Sequence, residues 1–170
     1  NIWRCRYSAY GLVAPEPRGA HITGPGNELY PTLVADGSLY FSALRDDNLG
    51  GLDIFRAQYE DGAFAEPVRL GGGVNSPQSE GDVYVSPDES YLIHVSSGRP
   101  DGLGGSDLYI SFREQDGSWG QCVHLVDGIN SPEADYCPVV SPDGRFFFFT
   151  QGEDLMWVDA SVLERYRPGN

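Results

Sequence analysis

The chain has 170 residues, with 25 acidic against 11 basic side chains and a formal charge of −14. Such a surface repels nucleic acid and anionic lipid, which are gripped mainly through Lys and Arg. No apolar run approaches the roughly 20 residues needed to cross a bilayer, so neither nucleic-acid binding nor membrane insertion is expected.

The 22 glycines, 12 prolines and single methionine suit short strands joined by tight turns. Taken in order, NIWRCRYSAYG (Asn1 to Gly11) and LVAPEPRG (Leu12 to Gly19) read as two strands. Tyr30 to Val34 alternates into the turn Ala35-Asp36-Gly37, where Asp and Gly give the freedom a hairpin needs. Ser38 to Ala43 is aromatic and β-prone, a loop rich in Asp, Asn and Gly follows (Arg45 to Gly51), and Asp53 to Tyr59 alternates apolar and polar. After Glu60-Asp61-Gly62, Phe64 to Leu70 reads as an outer strand, where Pro67 is tolerated. The next unit gives Asp82 to Ser86, Tyr91 to Ser97, Asp107 to Arg113 and Trp119 to Leu125. A third gives Tyr136 to Ser141, Arg145 to Thr150 and Asp154 to Val158, then a short helix, Ala160 to Arg165, capped by Asp159.

These units are copies. VADG (Val34 to Gly37), SPDE (Ser86 to Glu89) and SPDG (Ser141 to Gly144) are equivalent, as are LGGLD and LGGSD (Leu49 to Asp53, Leu103 to Asp107) and GVNSP and GINSP (Gly73 to Pro77, Gly128 to Pro132). The turn aspartates Asp36, Asp88 and Asp143 lie 52 and 55 residues apart, the signature of an array whose units bury their apolar faces on one another. Four antiparallel strands per unit, arrayed radially, make a β-propeller blade.

The SPDG turn with its aromatic strand, RPDGLGGSDLY (Arg99 to Tyr109) and the DGSWG…NSP spacer together resemble the WD-like propeller repeats of TolB type. The resemblance covers nearly the whole chain. It implies an all-β propeller, generally six-bladed, in a periplasmic or secreted setting. The boundaries expected are an outer half-blade at 1–19, blades at 28–72 and 80–127, an incomplete blade at 134–158 and a helical tail at 159–170. About three blades cannot close around an axis, since propellers typically need 4 to 8. The expectation is therefore half of a six-bladed ring, closed as a homodimer in which Leu12 to Gly19 completes the partner's third blade. The alternative is part of a longer propeller chain.

Aligned at their turns, Glu28, Glu80 and Asp135 take one position, just before the innermost strand and facing the channel. They read either as an acidic ring for a cation such as Ca2+, or as caps on local backbone N–H groups that recur because the unit recurs. Arg45 and Arg99 precede the glycine loops while Asp53 and Asp107 begin the third strands. That spacing suits an Arg–carboxylate fork fixing each loop, or a grip on an anionic ligand. No regular calcium loop, nucleotide loop or GxSxG elbow occurs. His21, His94 and His124 read as surface or packing residues, with His94 the one expected to be buried. Trp3, Trp119 and Trp157, with Phe55 and Tyr109, are expected between blades, a sugar platform being the sharper alternative. Cys5, Cys122 and Cys137 match no zinc spacing and read as buried small hydrophobes. Two functions compete: a non-catalytic propeller scaffold for a protein or ligand, or a hydrolase or lyase on carbohydrate or lactone with a channel metal.

Overall fold

The structure, a computed structural model, describes residues 1–169 other than Arg18, Ala20 and Pro25, so Arg18 of the expected second strand and Asn170 of the tail lie outside the described residues. β1 (Trp3–Ser8) and β2 (Gly11–Pro17) form an antiparallel hairpin. The first four-stranded sheet joins β3 (Glu28–Leu33), β4 (Leu39–Ala43) and β5 (Asp53–Ala57) to a later outer strand; β6 (Tyr59–Glu60) and β7 (Ala63–Phe64) form a side hairpin, and β8 (Val68–Arg69) is that outer strand. The second sheet runs β9 (Ser79–Val85), β10 (Tyr91–Ser97), β11 (Asp107–Phe112), β12 (Val123–His124). The third has β13 (Asp135–Val140), β14 (Phe146–Gln151) and β15 (Asp154–Asp159). Every pairing between these strands is antiparallel, and one isolated parallel bridge joins Ser106 to Ala134. A 3₁₀ helix, Ala160–Tyr166, follows, with Asp159 accepting the Ser161 N–H at 2.9 Å. No described helix is long and apolar enough to cross a membrane.

The outer strands are shorter than the sequence suggests. Of Phe64 to Leu70 only Val68–Arg69 joins the sheet, directly after Pro67, which has no N–H to give, while Phe64 turns back onto Tyr59 in the side hairpin. Trp119 makes a single bridge to Arg113 before Val123–His124 resumes the pairing. The inner strands carry a shared irregularity: β3, β9 and β13 each shift register, and Tyr30, Asp82 and Cys137 sit there at φ of 51°, 43° and 53°.

Three apolar clusters hold the layers together. Ile2 and Ile22 pack on Leu39, Phe41 and Phe55; Tyr40, Ile54 and Val74 meet Val83, Val85, Leu92 and Trp119; Ile93, Leu108 and Ile110 meet Val140, Phe147 and Phe149. A middle strand with neighbours on both sides is buried throughout, as in β4. In β14 burial alternates, because Phe147 and Phe149 pack against the second sheet whereas Phe146 and Phe148 point the other way, where no described sheet covers them. Of the three indoles expected between layers two are outside them, Trp3 56% and Trp157 61% exposed, while Trp119 is buried. Cys5 and Cys137 are likewise exposed, so of the three thiols only Cys122 behaves as a small hydrophobe, its thiol pushed up to about 12 by burial.

Candidate functional site

Glu28 and Asp135 open β3 and β13, Glu80 is the second residue of β9, and all three are buried. Each carboxylate accepts the backbone N–H four residues earlier: Gly24 to Glu28 at 2.9 Å, Ser76 to Glu80 at 3.0 Å, Ser131 to Asp135 at 2.7 Å. Ser76 and Ser131 add hydroxyl donors to the same carboxylates, and Ser96 adds another to Glu80 at 2.7 Å. The same residues stitch sheet to sheet, as the Glu80 N–H donates to Leu52 O and the Asp135 N–H to Ser106 O, at 2.8 and 2.9 Å. The three carboxylates are not gathered around one point: no three His, Cys, Asp or Glu among the described residues could hold a metal ion. Instead burial pushes Asp53 and Asp135 above the usual carboxylate range, with the Glu80 charge adding to the rise at Asp53 and the Asp107 charge to that at Asp135.

Arg45 and Arg99 do fork, but not onto Asp53 and Asp107. Arg45 Nη2 donates to His21 O and Ile22 O at 2.8 and 3.0 Å, and Arg99 Nη2 to Gly73 O and Val74 O at 3.1 and 2.7 Å. In the third sheet Gln151 repeats the contact with Gly128 O and Ile129 O at 3.4 and 3.1 Å. Spacing placed the arginines beside the loop correctly. It did not reveal that their donors go to two carbonyls of the incoming segment, with Arg99 Nη2 also 3.3 Å from Glu80 Oε1. Asp53 and Asp107 accept the N–H of Leu49 and Leu103 at 2.9 and 3.0 Å, and meet Arg69 at 3.8 Å and His124 at 3.1 Å. The first glycine of each LGG is needed for close approach: a Cβ on Gly50 would stand 2.0 Å from Pro77 O, and one on Gly104 1.8 Å from Glu133 O. So the LGG and NSP motifs recur together because one loop rests on the other.

The asparagines of NSP mimic a strand. Asn75 accepts the Ile54 N–H at 2.7 Å and donates to Ile54 O and Leu70 O; Asn130 accepts the Leu108 N–H at 2.8 Å and donates to Leu108 O at 2.9 Å. His94 lies fully buried in β10, whereas His21 is exposed beside Glu66 and His124 pairs with Asp107. Burial, with the Arg99 guanidinium adding to it, pulls the His94 imidazole down to about 3.

The unfolded chain takes up a proton on this histidine near pH 6.5, the folded chain only near pH 3. The stability it lends is therefore complete above pH 6.5 and is lost as pH falls from there toward 3, by at most about 1.4 kcal/mol per pH unit. His94→Leu should remove that slope. In urea titrations the variant's stability, taken relative to the parent, should rise between pH 7 and 5; a pH-independent difference would contradict a neutral buried imidazole.

No protein-family model and no curated protein matches the chain. The site is thus read from its own geometry. Two features escaped the sequence. Glu89 occupies a turn position held by glycine in the other copies, at φ 56°, and from there accepts Arg56 Nε at 2.9 Å and the Tyr40 hydroxyl across the sheet boundary. Tyr30, Asp82 and Cys137 line a shallow cavity of about 320 Å³, with the Cys137 N–H on Asp82 Oδ2 at 2.9 Å and the Tyr30 phenol raised chiefly by the Asp82 charge. Only comparison of the inner strands in three dimensions brings those three together. A larger cleft of about 770 Å³ lies between the second and third sheets, bordered by Tyr84, Tyr91, Asp88, Arg145 and Phe146.

Proposed function

We propose that the chain is an arc of a β-propeller that serves as a non-catalytic binding scaffold, and that two copies close a six-bladed ring. The observation that carries this reading is the bare outer face of the third sheet. Phe148 pairs with Trp157 and Thr150 with Leu155 on that face, and Leu155 is 72% and Trp157 61% exposed. The corresponding faces of the first and second sheets are covered by the next layer. Burying such a side chain contributes about 1.5–3 kcal/mol, so several such residues left in water form a strong demand for a partner. At the other end, among the described residues β1 is paired only with β2, and an apolar cleft of about 390 Å³ lined by Ile2, Trp3, Pro31, Leu33 and Phe64 lies beside it. A second copy of this chain is the occupant proposed for both ends, because it brings the chemistry each end lacks.

The scaffold reading also draws on the use made of the recurrent polar side chains: Glu28, Glu80, Asp135, Arg45 and Arg99 are engaged in holding loops and sheets. A periplasmic or secreted setting goes with the resemblance to TolB-type repeats. A thermal-shift series with Ca2+, Mg2+, Mn2+ and EDTA separates scaffold from channel-metal hydrolase or lyase. The scaffold reading expects no change in melting temperature, whereas a specific rise with one ion, reversed by EDTA, would favour the metal enzyme.

A further inference from the structure

We infer that the cleft between the first and second sheets, at their outer strands, binds a phosphate or carboxylate group of a small ligand. Arginine supplies all 11 basic side chains of this acidic chain, and three of them, Arg56, Arg69 and Arg113, line this one cavity of about 350 Å³, with Gly72, Ser118 and Trp119. Arg56 is spoken for: its Nε donates to Glu89 at 2.9 Å and its Nη2 to Asp36 at 3.0 Å. The other two guanidinium groups are not held in this way. Arg69 has its nearest carboxylate oxygens, on Asp47 and Asp53, at 3.8 Å, too far for a hydrogen bond, and its buried Nε has no hydrogen-bond partner among the described residues. Arg113 stands 3.9 Å from Glu89, reaches the Tyr40 hydroxyl only at 3.4 Å, and stacks over the Trp119 ring at 4.8 Å. By contrast, Arg45 and Arg99 bind their carbonyls at 2.7 to 3.1 Å.

A guanidinium carries five N–H donors in a rigid fork that matches two oxygens of a carboxylate or phosphate. Two such forks, partly buried and short of acceptors, beside the same cavity form a site for an oxyanion. The nearby Glu66, Glu89, Asp47 and Asp53 charges oppose it, so a polyanion is excluded and a small, singly anchored anion fits best. The cleft lies wholly within one chain, so its fate is independent of ring closure.

The test uses the full chain carrying Trp3→Phe and Trp157→Phe, which leaves Trp119 as the only indole. Inorganic phosphate and acetate are titrated in turn at constant ionic strength set with sodium chloride, and Trp119 fluorescence is followed. A saturable change with Kd of about 1 mM or tighter is expected, with Arg69→Gln and Arg113→Gln each weakening it about tenfold and Arg145→Gln, outside the cleft, leaving it unchanged. Which of the two anions responds assigns the group. Circular dichroism checks folding, and Arg113→Lys, which keeps the charge but not the fork, replaces any glutamine variant that does not fold. No saturation with either anion, or saturation indifferent to both arginine substitutions, overturns the proposal.

Discussion

In light scattering the purified chain is expected at about 37 kDa, twice the 18.6 kDa of one copy, and unchanged by salt. The salt independence follows from what would be buried. The outer face of the third sheet offers Phe148, Leu155 and Trp157, and the N-terminal hairpin offers Trp3, Tyr7 and Leu12, all side chains whose association is not screened by ions. β1 and β15 also present strand edges that no described strand pairs with, and exposed edges of this kind pair readily. A stable dimer of this sort would bury on the order of 1,200–2,000 Å² or more. Trp157→Asp combined with Leu155→Asp should return the mass to 18.6 kDa while the circular dichroism spectrum stays that of a β protein. Deleting residues 1–19 should instead produce aggregation, since it bares Leu39, Phe41 and Phe55 beneath the hairpin. A well-behaved monomer of 18.6 kDa at micromolar concentration would end the dimer reading and leave closure to segments of a longer chain.

Strand order, turns and the antiparallel pairing within each sheet were legible because they depend on local rules. Asp-Gly turns, period-two burial and aromatic middle strands all act within a dozen residues, and β4, β10 and β14 fall close to where those rules put them. The buried state of His94 was legible too, from its apolar neighbours. Contacts between sheets were not. The spacing of Arg45 and Asp53 invites a fork between them, but the choice between a carboxylate and a pair of carbonyls is made by a segment some twenty residues away, His21 and Ile22. Trp3 and Trp157 have the pattern of core residues but are exposed, and no local rule tells which apolar side chains a neighbouring layer covers. The inner-strand trio Tyr30, Asp82 and Cys137 has no shared side-chain chemistry. Its equivalence rests on a backbone conformation, and sequence displays that only where glycine marks it.

Asn75→Ala is expected to destabilise the fold by about 2–4 kcal/mol, a large share of a typical total of 5–15 kcal/mol. The side chain is buried and bonded at both ends of its amide: Oδ1 takes the Ile54 N–H, and Nδ2 serves Ile54 O and Leu70 O at 2.9 and 3.0 Å. Alanine leaves the fully buried Ile54 N–H facing a cavity with no acceptor and removes two donors besides, and a buried group stranded in this way costs about 1–3 kcal/mol. Asn130→Ala should act the same way on Leu108, and because the two sites serve different sheet boundaries their effects should add. Asn75→Asp gives the sharper test. It keeps an acceptor for the Ile54 N–H, but as a carboxylate it cannot donate and it places a charge in an apolar seam, so its folded-state pKa must lie above the unfolded value. Such a group gains relative stability as pH falls, because the protonated acid can donate again. In urea titrations Asn75→Asp should therefore be as unstable as Asn75→Ala at pH 7 and recover toward the parent as pH falls through 5. If Asn75→Ala costs less than about 0.5 kcal/mol, as surface substitutions do, the amide is not what joins the first sheet to the loop that carries the second.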